Sequence, residues 1–427
     1  MKQQDVISRR DFIKRGAGAA IAMGGSALFG PKAKGEGKSL HMGIVGCGGR
    51  GTHDTRRCLE AAQHLGVSLK IAAAADAFKD KAVELGQQFE VPKSRCFGGF
   101  DAYRKLLECE VDLVLLCTPP IFRPLHFETA VAAGKHVFVE KPIAVDPPGA
   151  RKFIEAGEVA ASKGLSVVAG TQRRHQRNYR ETQHRIAEGA IGDLTGGAIY
   201  WCGGRLWFKR QQEGEDAASY LVRNWVSFTE MSGDHIVEQH VHNVDVANWF
   251  IGSPPATAIA FGGRARRVTG NQYDFFSVDF DYGKDVHVHS MCRQINACYN
   301  RVSEFFTGTN GTSWGNGGIK MRTPVEVPSP DFPEFNGGDT QQQVDFLKSI
   351  LEEKPVNEAR QVAEATLAAI MGRIAAYTGK MVRWKDVADA ESDSCWCNLT
   401  LEPTAEAFEE GPVPLPPEDA IPLPGEA

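Results

Sequence analysis

The stretch that most constrains this chain runs from His41 to Gly51. Met42, Ile44 and Val45 form a short apolar run of the buried-strand kind, and the chain then passes through Gly46, Gly48 and Gly51 at G-x-G-x-x-G spacing. Gly46 suits a tight turn, Gly48 lets backbone N–H groups approach a pyrophosphate, and Gly51 lets a following helix lie close to the strand. Gly49 and Arg50 stand within the motif and are read as cofactor-binding with it, and the helix that follows offers first N–H groups and a dipole that favour an anion. Taken alone the motif also describes a plain glycine-rich loop, so its surroundings decide. Thr52 to Leu65 reads as helix and Leu69 to Ala75 as a second strand, with Asp76 standing 25 positions beyond Gly51. An acidic residue about 20 positions on is the one that holds the ribose hydroxyls of NAD. Lys79 stands close enough to receive a 2′-phosphate, which keeps NADP open as the cofactor.

The alternation continues along the chain. Val111 to Cys117 is a continuous apolar run, the look of a parallel strand covered on both faces. It ends at Thr118 and Pro119, while His136 to Val139 ends at Glu140-Lys141-Pro142. Both ends fall on the sheet edge where open parallel sheets bind their ligands, so these residues face the cofactor crevice. Helices over Phe122 to Ala133, stopped by Gly134, and over Pro147 to Lys163 complete the pattern with a strand at Ser166 to Ala169. This is a doubly wound α/β arrangement and assigns residues 40–170 to nucleotide binding.

After Gly170 a basic, polar helix occupies Thr171 to Gly189, and longer two-periodic runs then appear, such as Phe276 to Tyr282. Gly283-Lys284 reads as a hairpin turn and Asp285 to Gln294 as the returning strand. Residues 171–395 are expected to form an α+β domain with a large, mainly antiparallel sheet, carrying helices at 339–353 and 360–377. Residues 396–427 are rich in proline and glutamate, show no pattern able to bury a core, and are read as an irregular tail.

A net charge of −5 gives no electrostatic reason to expect nucleic acid. Residues 1–35 are of a different kind. Ser8-Arg9-Arg10-Asp11-Phe12-Ile13-Lys14 precedes a small, weakly apolar run, too short and glycine-rich to span a membrane but suited to a twin-arginine export signal. The expected location is therefore the periplasm or beyond. Ten scattered cysteines, including Cys395 and Cys397, look like free thiols, which a chain folded before export can keep.

A second constellation is Glu238, His242, Asp245 and Trp249, whose steps of 4, 3 and 4 fall on one stripe of a helix between apolar stripes. A buried carboxylate beside an imidazole needs a partner, so Glu238 or Asp245 is expected to orient His242 as a general base. The competing reading is a satisfied core histidine. His235 and His240 suggest a metal site, but His240 leaves the stripe, and no metal is expected.

Together these motifs resemble the glucose-fructose oxidoreductase, inositol dehydrogenase and MocA family over residues 40–390. The likeness rests on the glycine motif, Glu140-Lys141-Pro142, Thr171-Gln172-Arg173-Arg174, the histidine helix and the closing helices around Asp345-Phe346-Leu347 and Met371-Gly372-Arg373. It implies a Rossmann domain joined to a mainly antiparallel sheet domain, with a sugar or cyclitol bound between them against the nicotinamide. By the same resemblance Lys141 would hydrogen-bond the reacting hydroxyl and His242 would take its proton. Arg173, Arg174, Tyr179, Asn224, Trp225 and Asp245 would bind substrate. Inositol dehydrogenase-like members usually carry aspartate four residues before the histidine, where this chain has Glu238. Export would favour a tightly held, internally recycled cofactor, because free NAD is not expected outside the cytoplasm. The alternative is a redox-neutral cycle that breaks a glycosidic bond through a 3-keto intermediate. A homodimer or homotetramer built on the exposed sheet face is expected.

Overall fold

The computed structural model describes residues 39–389 except 329, together with 399, 401–418 and 420–425. The export-signal segment, Cys395 and Cys397 lie outside the described residues.

The apolar runs of the first half become six strands: β1 (Ser39–Val45), β2 (Ser68–Asp76), β3 (Cys96–Gly98), β4 (Leu113–Leu116), β5 (His136–Val139) and β6 (Val167–Ala169). They pair in parallel in the order β3-β2-β1-β4-β5-β6. The order reverses at β1, so the carboxyl ends of β1 and β4 frame the crevice in which such sheets bind ligands. Helix Gly49–Leu65 begins directly at the glycine motif and ends on Gly66 in the left-handed conformation. Gly134 stops the helix Arg123–Ala132 in the same way at φ +71°.

The second half builds an eight-stranded sheet from β7 (Leu194–Gly203), β8 (Thr257–Gly263), β9 (Phe275–Asp281), β10 (His287–Gln294), β11 (Arg301–Gly308), β12 (Gly311–Trp314), β13 (Gly317–Met321) and β14 (Val382–Arg383). Its order is β13-β12-β11-β7-β10-β9-β8-β14, and only the β7–β10 pair is parallel. The two-periodic run becomes β9, with Phe276, Val278 and Phe280 turned into the core. The β9–β10 turn is longer than a two-residue hairpin: Gly283, Lys284 and Asp285 all take positive φ. Asp285 therefore belongs to the turn, and the returning strand starts at His287.

Two features depart from the sequence-based organisation. Helix Gly338–Leu351 lies late in the chain, yet Val344, Phe346 and Leu347 are buried with Met42, Ile44 and Phe138 of the nucleotide half. The tail is also anchored. Leu401 and Phe408 are buried with Ile121, Phe122, Tyr220 and Leu221, although nothing in the tail's composition announces a core. Helix Ala359–Thr378, stopped by Gly379, packs on both halves. Its fully buried Arg373 donates to Val145 O at 2.7 Å and Gly233 O at 3.0 Å, joining a nucleotide-half loop to the loop that leads into the histidine helix. Among the described residues no helix is long and apolar enough to cross a membrane.

Candidate active site

The glycine motif has the geometry a dinucleotide needs. Gly46 has φ +95°, and a Cβ there would lie 2.6 Å from the Cys117 carbonyl carbon. A Cβ on Gly51 would come within 1.9 Å of Gly46 O, so the helix can approach the strand only without a side chain. Gly48 and Gly49 face open space, with no atom within 4 Å of a Cβ position, and no side chain caps the first turn. The N–H groups there are free to meet a pyrophosphate. Asp76 ends β2 and accepts from Cys47 N at 2.7 Å and Phe78 N at 2.9 Å. A carboxylate has further lone pairs to offer a ribose.

A cavity of about 460 Å³ opens on this motif. Gly46, Gly48, Gly49, Asp76, Thr118 and Pro119 line it from the nucleotide half, and Trp207, Lys209, Arg223 and Trp225 from the second half. Lys79 is not among its lining; its Cβ and Cα lie against Gly98, and Lys81 faces the cavity instead. Lys141 and His242 do not line it either, so this cavity is the adenosine end of the cleft and the chemistry lies beyond it.

Glu140 and Lys141 follow β5. Glu140 is buried over Gly170, where a Cβ would stand 2.7 Å from its carboxylate, and Arg50 approaches it to 3.9 Å. Glu140 and Asp54 together raise the Arg50 pKa, burial opposing them. Burial and the nearby Glu140 push the Asp54 carboxyl well above its usual range. Lys141 is 6% exposed. It reaches across to the second half, donating to Glu238 O at 2.6 Å and Glu238 Oε1 at 3.2 Å. Burial alone would raise the Glu238 carboxyl, but Lys141, Gln239 and Arg123 outweigh it and hold the carboxyl below its usual range.

The histidine stripe is not one helix. Helix His235–Glu238 ends, and a second begins at Val241 and runs to Ile251, with Gln239 and His240 between them. His242, in the first turn of the second helix, is 7% exposed and lies 5.5 Å from the Trp201 ring, nearly parallel to it. Burial lowers its pKa well below the usual histidine range, and Lys141, Arg173 and Arg50 reinforce the shift. Lys141 is the strongest of those charges.

The expectation that a carboxylate orients His242 is corrected. Glu238 is held by Lys141 and by Gln239 Nε2 at 2.7 Å, and Asp245 by Arg174 through contacts of 2.8–2.9 Å. His240 donates to or accepts from Ser290 Oγ at 2.7 Å, and His235 lies on Asp234, so both are structural.

The substrate-side residues divide into three groups. Arg173 and Tyr179 converge on Glu304, which also accepts from Asn243 Nδ2 at 2.6 Å; the Arg173 guanidinium lies 5.6 Å from the Trp201 ring centroid. This group adjoins His242 through Trp201. Arg174 holds Asp245 beneath Trp249 and also donates to Gln361 Oε1 at 3.1 Å. Asn224 is fully buried, its Oδ1 accepting from Lys209 N and Ser227 Oγ, so it shapes the backbone and does not face a substrate. Trp225 lines the cavity that opens on Gly46, Gly48 and Asp76.

Glu304, Asn243, Trp201 and Arg123 were not singled out from sequence. Arg123 is buried and donates to Thr118 O at 2.8 Å and Pro142 O at 2.6 Å, tying the two crevice loops together. Glu304 had a legible signal: it occupies an inward position of β11, in step with Phe306.

Such a fold and cleft define an α/β protein with a nucleotide-binding half and a separate second domain. Residues 40–171 match the oxidoreductase family with an NAD-binding Rossmann fold, and residues 179–313 match the GFO/IDH/MocA C-terminal domain. The two lie in order and together cover more than half of the chain, which belongs to the GFO/IDH/MocA oxidoreductase family. The cofactor for which the glycine motif is built is NAD.

Inositol 2-dehydrogenase of Paracoccus denitrificans is 31% identical over 150 residues, 35% of this chain and 42% of that relative. The match thus spans less than half of the curated relative's length. Among solved structures, scyllo-inositol dehydrogenase from Lactobacillus casei with bound NAD(H) and scyllo-inositol superposes with a TM-score of 0.62 at 23% identity, over 81% of this chain and 99% of that one. The aldose-aldose oxidoreductase from Caulobacter crescentus gives 0.61 at 17% identity, over 81% and 100%. At these identities the superpositions establish the fold.

Proposed function

We propose that the chain is an NAD-dependent dehydrogenase that oxidises a secondary alcohol of a sugar or cyclitol, or reduces the matching ketone. The observation that carries this reading is the contact of Lys141 from the nucleotide half with Glu238 of the second half, four residues before His242. Bound NAD supplies the hydride acceptor. Lys141 donates a hydrogen bond to the reacting oxygen and steadies the negative charge that grows there. His242, neutral because it is buried beside a cation, accepts the hydroxyl proton. Arg173, Tyr179 and Asn243 hold the Glu304 carboxylate beside Trp201, whose ring offers an apolar face of the kind a sugar covers. The inositol 2-dehydrogenase match and the scyllo-inositol dehydrogenase fold support a polyol substrate.

The chain is exported in folded form by its twin-arginine segment and carries its nucleotide with it, recycling it within the site. It self-associates as a dimer or tetramer through the outer face of the eight-stranded sheet, where Ile259, Phe261 and Met291 are exposed.

Denaturing the purified protein and weighing the released nucleotide tests the cofactor. Incubation with inositols and aldoses, followed by nicotinamide absorbance and ketone analysis, tests the reaction. Ketone formation with reduction of bound nucleotide supports the proposal. Turnover of a glycoside with no net nicotinamide reduction would replace it with the redox-neutral cycle, and no ketone from any polyol would overturn it.

A further inference from the structure

We infer that Trp207 and Trp225 of the second half cap the adenosine end of the bound dinucleotide, and that the C-terminal residues 401–418 and 420–425 fasten this cap and make the nucleotide a resident group. The inference rests on the reading of the cleft as a retained-nucleotide site and names the device that retains it.

Three observations carry it. First, the cavity that opens on Gly46, Gly48 and Asp76 has a second wall made of Trp207, Lys209, Arg223 and Trp225. The two indoles meet edge to face, 6.0 Å between centroids, and Trp207 remains 49% exposed. An exposed tryptophan at the rim of a cavity bearing a ribose-binding carboxylate is placed to cover a purine, since every base has a face that stacks on an aromatic ring.

Second, the cap leans on the C-terminal segment. Residues 204–216 contain no helix or strand, and Trp225 follows the short helix Ala217–Arg223. Tyr220 in that helix donates to Glu418 Oε1 at 2.7 Å, and Tyr220, Leu221 and Val222 share a buried cluster with Leu401 and Phe408.

Third, the same segment grips the opposite wall. The Phe408 ring lies 5.0 Å from both Phe100 and Phe122, and both of those line the cavity. Glu409 Oε1 accepts from Phe100 N at 2.5 Å. Beyond them, Pro422 O accepts from Tyr273 OH at 2.6 Å and Gly425 N donates to Thr378 O at 3.1 Å. One segment thus holds floor and cap together, and opening the adenosine end requires breaking its contacts on one wall or the other.

The test measures nucleotide release from the full chain. NAD-loaded protein is freed of unbound nucleotide by desalting and then mixed with excess labelled NAD, and the exchange rate is followed. The unmodified chain keeps its nucleotide through desalting. Trp225→Ala and Phe408→Ser exchange it about tenfold faster, the size of one lost stacking contact. Tyr220→Phe, which removes a single oxygen, exchanges it severalfold faster. Near-ultraviolet circular dichroism checks that each variant is folded, and Tyr220→Phe decides if Phe408→Ser is not. Variants exchanging at the unmodified rate, or an unmodified chain that loses NAD on desalting, would overturn the inference. Retained nucleotide with no polyol oxidised would sink the dehydrogenase reading and leave the cap standing; polyol oxidation with freely exchanging NAD would do the reverse.

Discussion

Lys141 keeps its ammonium on two acceptors of Glu238, whereas among the described residues no carboxylate pairs with His242. The pair therefore divides the work by charge: one side chain supplies a fixed cation and the other an empty proton site. Replacing Lys141 with Met should lower kcat/KM by about 10²- to 10⁴-fold, the range of a lost positioned proton-transfer or charge-stabilising group, and steady-state oxidation of the best polyol measures it. His242→Asn should give a loss of similar size. The pH dependence has a definite sign. The His242 pKa lies below its ordinary value, so the imidazole is still unprotonated where a free histidine would be half charged. The kcat/KM profile should therefore stay level as the pH falls from about 8 through about 6.5. An inflection near 6.5 would show that another histidine, or none, is the base.

The glycine motif and the parallel strands were legible in sequence because each obeys a local rule: a turn that needs positive φ, a close helix approach, or a run buried on both faces. Gly51→Ala should accordingly leave little NAD binding, since the new Cβ would meet Gly46 O at 1.9 Å; a loss of at least about a hundredfold in affinity by calorimetry is expected. What sequence did not disclose depends on distant partners. Asn224 and Trp225 are adjacent, yet one is sealed under Lys209 N and the other faces the adenosine cavity. The break at Gln239-His240 turns one predicted helix into two, and Glu238, at the end of the first, meets Lys141. His175 is a further case. It lies on Asp345 at 2.7 Å and Glu358 at 3.3 Å, each from a different element, with Arg174 and Arg180 nearby. Burial alone would lower its pKa, but the two carboxylates raise it to about 9. Because the folded value exceeds the unfolded one near 6.5, the stabilisation is full below about pH 6.5 and is lost as pH rises through about 9. Urea unfolding at both ends of that window should show the unmodified chain losing up to about 3 kcal/mol more than His175→Asn.

For the molecule as a whole, the export reading is tested outside the fold. A reporter fused to residues 1–35 should leave the cytoplasm only in cells with a working twin-arginine pathway, and replacing both Arg9 and Arg10 with Lys should stop it. Unaltered export of that double variant would remove the location from the proposal. Arg373 has a consequence of its own. With Val145 and Gly233 fastened to one sequestered guanidinium, the halves that carry Lys141 and His242 are pinned to each other at that point and are expected to swing little. Catalysis should then be indifferent to solvent viscosity, and thickening the medium with sucrose should slow nucleotide loading far more than turnover.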